Sequence, residues 1–407
     1  MRILVVGSGG REHALCWVLA NKGHKVWCAP GNPGTAQIAT NIPISPADTT
    51  SLTKFATAND IAMVIPGSEI SLCHGITDAM SRAYVPCFGP TRQAAQLETS
   101  KAFTKLLCHK NDIPTANWAA FDQVQSAEEY VKQSSLPLYI KADGLAGGKG
   151  AIRAETEQDA RSIIHEMMER RTLGNAGSVV VIEEALIGEE RSFFALCNGT
   201  EAVPLGLARD YKRLQPDQTS PNTGGMGAYT LTDERVEQVA MERIILPTLR
   251  AMMDHPFCGV LYAGLMLTES GPKLIEYNVR LGDPEWQAMA MCFDDDLYWL
   301  FEAILHGNIR EVRKSQRTGI TVVMTAPGYP QEPRTGGEIR SIEVPEGVMV
   351  FHAGTNRTPG GRLIANGGRV LNVCTSAADL STAREQVYAA MEQIDWPEGY
   401  YRRDVGI

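Results

Sequence analysis

The chain has 407 residues, 44% of them hydrophobic and 21% charged, the balance of a soluble globular protein long enough for about two to four domains. Its formal net charge of −9 argues against a general binder of nucleic acid or of anionic membrane, because phosphate polymers are held by basic surface. The nine cysteines include no CxxC pair, so free thiols in a reducing cytoplasm fit better than disulfides or structural zinc, and no run of about 18 apolar residues offers a membrane span.

Residues 3–6, "ILVV", predict a strand, and "GSGGREHALCWVLANKG" predicts a helix with Leu15, Trp17, Val18 and Leu19 at helical spacing. The apolar core of this opening is too short for a secretory signal. "KVWCAPGNPG", "IAMVIPGSE" and "VPCFGP" repeat one pattern, an apolar run closed by Gly, Pro or an acid. Strands alternating with helices predict a parallel α/β sheet. Ligands bind beyond the C-terminal strand ends of such sheets, which is where residues 7–12, 31–34 and 67–69 fall. Gly7, Gly9 and Gly10 form part of a GxGxxG fingerprint, but Glu12 stands where its last glycine belongs. A dinucleotide, a single phosphate on a helix N-terminus and a tight turn that binds nothing all stay open.

"QLETSKAFTKLLCHKNDIPTANW" predicts a helix, then a turn at Ile113 and Pro114. From about residue 116 the pattern is compact α+β: "SAEEYVKQ" helical, "LPLYIKA" a strand, a glycine-rich loop, "EQDARSIIHEMMERR" helical and "SVVVIEEAL" a strand. The strands "LYAGLMLT" and "PKLIEYNV" follow. From "GITVVMTAPGYP" onward short strands, "GVMVFHAG" and "GGRVLNVC", precede the helix "LSTAREQVYAAMEQI".

Four stretches carry chemistry. "YIKADGLAGGKGAIRA" places Lys141 and Lys149 around Gly144, Gly147, Gly148 and Gly150. It is not a Walker A loop, because no Ser or Thr follows the lysine. A strand–loop–strand hairpin of this composition can close over a triphosphate with its backbone N–H groups, and Lys141 can reach a phosphate; a plain surface hairpin is the other reading. "VVVIEEALIGEE" puts an apolar strand directly before Glu183, Glu184, Leu186, Glu189 and Glu190, as for an exit backbone that meets adenine with an acid placed for ribose hydroxyls; an ordinary acidic turn is the other reading. In "LIEYNVRLGDPEWQ", Glu276 and Asn278 are two apart on a strand and share a face, a spacing of hard oxygen donors that suits Mg²⁺. Arg280 continues that face, with Ile275, Tyr277 and Val279 on the apolar one. Finally, "RDYKRLQPDQTSPNTGGMGAY" is a long polar loop after Asp210, Lys212 and Arg213, and such loops are more often functional than filler.

Together these stretches, with "GSGGREHAL", "APGNPGT", "FGPTRQAAQLETSKAFTK", "LYAGLM", "FHAGT" and "NGGRVL", resemble the ATP-grasp superfamily and, within it, the glycinamide ribonucleotide synthetase family, over nearly the whole chain. The resemblance implies an α/β and α+β multidomain protein. Residues 1–103 would form a preATP-grasp parallel α/β domain and 104–315 the ATP-grasp domain, with a mobile lid at about 116–188. Residues 316–407 would form a small α+β domain. It implies ligation of glycine to phosphoribosylamine with ATP and Mg²⁺ or Mn²⁺, in a cytoplasmic monomer or weak homodimer that engages neither nucleic acid nor membrane. ATP would meet Lys101, Lys141 and the loop with Gly147, Gly148 and Lys149. Adenine would meet Glu183, Glu184 and Leu186, and ribose Glu190. Glu276 and Asn278 would hold the metal. Gly9, Gly10, Arg11, Glu12 and Glu69 would face phosphoribosylamine, with Asp210 and Asn222 also on the substrate side. Arg280, Asp283 and Lys212 are the catalytic candidates.

Three positions depart from the family pattern, all on the acceptor side. Ser68 replaces the proline of Gly-Pro-Glu, Tyr211 the histidine of Asp-His-Lys-Arg, and Trp286 the threonine of Gly-Asp-Pro-Glu-Thr-Gln. The alternative is therefore an ATP-grasp paralogue that ligates another amino acid or amine. Two further classes leave more unexplained. A nicotinamide oxidoreductase accounts only for the N-terminal glycines, and an inactive scaffold has no reason to keep Glu276, Asn278 and Lys141.

Overall fold

A computed structural model describes residues 1–147, 150–217 and 220–407. The strand Arg2–Gly7 lies between Lys25–Pro30 and Met63–Pro66 in a parallel four-stranded sheet completed by Thr40–Asn41. Ile3, Leu4, Val5 and Val6 are fully buried, which is why this strand reads as an unbroken apolar run: both faces of the sheet are covered. Gly7 pairs with Pro30 and Val6 with Pro66, so residues 7–12, 31–34 and 67–69 leave the sheet at one edge. "VPCFGP" forms no strand of its own. Cys87 makes a single parallel bridge to Val64, since Pro86 and Pro90 bring no N–H to a ladder.

The helix expected after residue 96 is two helices, Gln96–Thr99 and Lys101–Lys110. Ser100 between them is extended, and its Oγ accepts the Phe103 N–H at 3.0 Å. This N-cap starts a new helix with Lys101 in its first turn.

The centre is an antiparallel sheet of eight strands in the order Gly271–Asn278, Cys258–Thr268, Glu189–Asn198, Ala202–Asp210, Gly227–Leu231, Thr318–Thr325, Arg369–Ala377, Met349–His352. It runs without a break from the middle of the chain into the C-terminal part, where the helix Leu380–Met391 buries Ala383, Val387 and Met391 against Ile320, Val322 and Val373.

The lid is a separate layer: a four-stranded antiparallel sheet (Trp118–Phe121, Val180–Glu184, Leu138–Ala142, Ala151–Ala154) packed on the helices Val124–Gln133 and Glu157–Met168. Its own core contains Val131, Leu138, Ile140, Ile164 and Ile182. Thr156 and Asp159 form a reciprocal capping box at 3.1 Å in both directions, which starts the second helix. All nine cysteines are free, and among the described residues no helix is long and apolar enough to cross a membrane.

Candidate active site

A cleft of about 430 Å³ opens between the lid hairpin and the central sheet. Tyr139, Lys141, Gly144, Leu145, Ala146, Gly147 and Gly150 line it from the lid, and Met266, Ile275, Glu276 and Asn278 from the sheet. The hairpin is antiparallel, with Lys141 opposite Ala151. Asp143 ties its base to the body of the protein, accepting the Ser100 hydroxyl and the Ala102 N–H at 3.0 Å each.

One end of the cleft is cationic. Lys101 lines it from the first turn of its helix. Lys141 is 2.9 Å from Glu183 Oε1, and Lys105 is 2.8 Å from Glu183 Oε2. Burial opposes the charge on Glu183, but Lys141 and Lys105 outweigh it and hold the carboxyl below its usual range. Glu184 is anchored differently, accepting the Asn117 N–H and side-chain amide at 3.0 Å each. Leu186, Tyr139, Met266 and Ile275 give this end an apolar wall. Ile275, expected on the apolar core face, lines the cleft because the strand bulges there: Glu276 pairs with Gly264 and Leu274 with Leu265, leaving Ile275 unpaired.

Glu276 and Asn278 face the cleft together. Neither side chain makes a hydrogen bond or ion pair within 4.0 Å to another described residue. Burial would raise the Glu276 carboxyl, yet Lys212, Lys101, Lys141 and Arg280 together keep it below its usual range. An ionised carboxylate and an amide oxygen with vacant lone pairs fit Mg²⁺ or Mn²⁺, which accepts one or two protein oxygens plus phosphate and water. Among the described residues no cluster of three or more His, Cys, Asp or Glu could hold a metal by itself, so phosphate oxygens would complete the shell.

The other end is a lattice of alternating charge. Arg11 donates to Glu12 at 2.7 Å and lies 3.6 Å from Glu69. Glu69 is also 3.7 Å from Arg280, whose Nη2 donates to Glu98 at 2.8 Å. Asp283 accepts the Gln287 amide at 2.7 Å and lies 3.4 Å from Arg369. Burial raises the Asp283 and Glu69 carboxyls, but the arginines prevail and both sit below their usual range. Lys212 is 3.0 Å from Glu190 and 3.9 Å from Asp210. Asp210 differs from the others: burial, only partly offset by Lys212, pushes its carboxyl up to about 7. Beside it Glu285 Oε1 accepts the Tyr262 hydroxyl at 2.8 Å and the Ser192 hydroxyl at 3.0 Å.

Arg11, Glu69, Lys101, Lys141, Gly147, Glu183, Glu184, Leu186, Glu190, Asp210, Lys212, Asn222, Glu276, Asn278, Arg280 and Asp283 all line this one cleft. Gly9, Gly10 and Glu12 do not. Glu12 is buried, and its Oε2 turns back to accept the Gly9 N–H at 2.6 Å, so the acid serves its own helix and Arg11. A Cβ at Gly10 would meet the Asn372 and Gln287 amides at 2.3 and 2.8 Å; this glycine permits packing of its helix against the C-terminal strands. Gly148 and Lys149 lie outside the described residues. Glu98, Tyr262, Glu285 and Arg369 line the cleft and were not singled out from sequence, although they stand inside the distinctive blocks "FGPTRQAAQLETSKAFTK", "LYAGLM", "GDPE" and "NGGRVL".

None of the three departures lines the cleft. Trp286 is fully buried, edge-on to Phe293 with ring centroids 5.6 Å apart. Tyr211 packs into the C-terminal core, its hydroxyl bonded to Gly406 and Ile407. Ser68 caps the helix Glu69–Cys73 by accepting the Ile70 N–H at 3.3 Å.

A parallel α/β domain, a hairpin over a lysine-rich cleft and a carboxylate–amide pair on the facing strand define an ATP-grasp fold. Residues 1–98, 99–286 and 319–407 match, in turn, the families Phosphoribosylglycinamide synthetase, N domain; Phosphoribosylglycinamide synthetase, ATP-grasp (A) domain; and Phosphoribosylglycinamide synthetase, C domain. The chain belongs to the phosphoribosylglycinamide synthetase family. It is 46% identical to a phosphoribosylamine–glycine ligase of Mesorhizobium japonicum, over 100% of this chain and 98% of the relative. A crystal structure of phosphoribosylamine–glycine ligase from Thermotoga maritima superposes with a TM-score of 0.86 at 32% identity, covering 100% of both chains. The fold is also that of a biotin carboxylase from Campylobacter jejuni, solved as a β,γ-ATP complex, with a TM-score of 0.74 at 15% identity over 97% of this chain and 91% of the other.

Proposed function

We propose that the chain ligates glycine to 5-phosphoribosylamine with ATP, giving glycinamide ribonucleotide, ADP and phosphate, in de novo purine synthesis. The observation that carries this reading is that none of Ser68, Tyr211 and Trp286 is among the residues that line the cleft, so the three departures leave its polar lining in place.

The chemistry is carboxylate activation. A glycine carboxylate oxygen attacks the γ-phosphorus of ATP, and the bond to the β,γ-bridging oxygen breaks as ADP leaves. The amine nitrogen of phosphoribosylamine then attacks the acyl carbon; a C–N bond forms, the C–O bond to phosphate breaks, and the amine loses its proton. No protein nucleophile takes part. Lys101 and Lys141 hold the phosphates, with Gly147 and the hairpin above. The exit of the strand Val180–Glu184 meets adenine beside Leu186, and Glu190 the ribose. A divalent cation held by Glu276 and Asn278 would neutralise charge on the phosphates. Arg280, fixed by Glu98 at 2.8 Å, offsets charge on the transferring phosphoryl group. Asp283 orients the amine, and Lys212 with Asp210 and Asn222 places glycine. Arg11 and Glu69 face phosphoribosylamine. Closure of the lid, residues 116–188, protects the acyl phosphate from water.

The division of the chain at residues 103 and 315 belongs to this reading, as does a lid at about 116–188, which has a core of its own. So does a cytoplasmic monomer or weak dimer, which nine free cysteines suit. The test is ADP release from purified protein with amino acids and amines supplied singly and in pairs. Turnover only with glycine and phosphoribosylamine together is expected; turnover with another amino acid and none with glycine would establish the paralogue instead.

A further inference from the structure

Tyr211 stands between two cleft residues, Asp210 and Lys212, while its own ring points the other way into the C-terminal core. Side chains alternate along extended backbone, so whatever grips Tyr211 from behind sets how Asp210 and Lys212 project in front. The grip is extensive. The Tyr211 hydroxyl accepts the Gly406 N–H at 2.9 Å and donates to the Ile407 carbonyl at 3.0 Å. The Arg402 guanidinium lies 5.0 Å from the ring centroid and donates to the Arg213 carbonyl at 2.9 Å. The Tyr400 hydroxyl donates to the Leu214 carbonyl at 3.2 Å. Residues 400–407 thus back the segment 211–214 along its length.

On the cleft side the segment is joined to the substrate loop. The Lys212 carbonyl accepts both the N–H and the hydroxyl of Thr223 at 2.7 Å, next to Asn222. The Lys212 ammonium is within direct reach of Glu190 but 3.9 Å from Asp210, a spacing that small backbone shifts would change.

We infer that Tyr211 is a positioning residue for the amino-acid subsite: its hydroxyl lets the segment 400–407 set the placement of Asp210 and Lys212. The inference rests on the assignment of those two residues to glycine made above. Tyr211→Phe keeps the ring and removes only the hydroxyl, so the fold is retained. In the full-length protein, with ADP release followed while glycine and ATP are varied in turn, Tyr211→Phe raises the glycine KM about five- to tenfold, a net loss of about 1–1.4 kcal/mol, and changes the ATP KM by a smaller factor, through the Lys212–Glu190 pair. Arg402→Met, which removes the support on Arg213, moves the glycine KM in the same direction. Asp210→Asn is run alongside. If Asp210→Asn raises the glycine KM while Tyr211→Phe lowers only the melting temperature, Tyr211 is core packing and the inference is overturned. If Asp210→Asn leaves the glycine KM unchanged, the assignment of this segment to glycine falls, and the inference with it.

Discussion

Glu183 holds Lys141 at 2.9 Å with a carboxylate that it shares with Lys105, 2.8 Å from its other oxygen. Two buried bases and one buried acid leave an excess positive charge behind the phosphate end of the cleft. An uncompensated buried charge is unfavourable, and on the proposed function nucleotide phosphate is the anion that offsets it. Lys105 does not line the cleft, yet it is part of that excess. Lys105→Met is expected to leave the Lys141–Glu183 pair in place, to raise the ATP KM about tenfold (about 1.4 kcal/mol), and to leave the glycine KM unchanged. Steady-state titration of ATP checks this, and an unaltered ATP KM would refute a role for the shared carboxylate.

Glu276 is the second charged test point. Its carboxylate has no direct partner among the described residues but is kept ionised by distant cations, Lys212 foremost. Glu276→Gln is nearly isosteric, so the melting temperature should change little. Turnover should fall at least about a hundredfold, because a metal clamp supplies several kcal/mol of transition-state stabilisation. Parent-like turnover at saturating Mg²⁺ would remove Glu276 from the metal site.

The features legible in the sequence are those set by local pattern. The run "ILVV" marks a strand covered on both faces, and two lysines around a glycine loop mark a hairpin. Glu276 and Asn278 are visible because strand alternation acts over two residues. What escaped depends on partners far along the chain. Ile275 reaches the cleft through a bulge opposite Gly264 and Leu265. Arg369 enters from a C-terminal strand to bond the Gly224 and Asp283 carbonyls at 2.6 and 2.7 Å. Glu12 is a local case instead: its oxygen closes a capping contact to Gly9, three residues back. The break at Ser100 is set by a local signal, a serine before a new helical run, which caps it.

Trp286 separates stability from specificity. Its indole is fully buried against Phe293, and its Nε1 has no hydrogen-bond partner among the described residues. Trp286→Thr opens a large cavity and should cost about 3–5 kcal/mol, as for other large-to-small core changes. The glycine KM of the folded fraction should stay within about twofold of the parent, well under the tenfold that 1.4 kcal/mol would give. Chemical denaturation and glycine titration measure the two effects. A stable variant with a changed amino-acid preference would instead place the indole in control of the pocket.

The histidines His13 and His352 predict how acid acts on the molecule. The His352 N–H donates to His13 Nδ1 at 2.8 Å, which requires that nitrogen to be unprotonated. The rings are 5.7 Å apart, at the junction of the first helix with the C-terminal sheet. Burial, aided by His352, lowers the His13 pKa to about 3. Burial, aided by Arg357, lowers that of His352 to about 4. The unfolded chain takes up protons on both rings near the ordinary value of about 6.5, whereas the folded chain stays neutral until about pH 4. Between those values the unfolded state binds more protons, so stability rises with pH. The contribution is complete above about pH 6.5 and is lost on acidification, about 2 kcal/mol per ring by pH 5. His13→Gln keeps an acceptor for the His352 N–H but removes one titrating ring. Its stability should therefore fall less than the parent's between pH 7.5 and 5, by about 2 kcal/mol, as read from denaturant midpoints at the two pH values. Equal losses in parent and variant would mean that His13 is not neutral in the folded state.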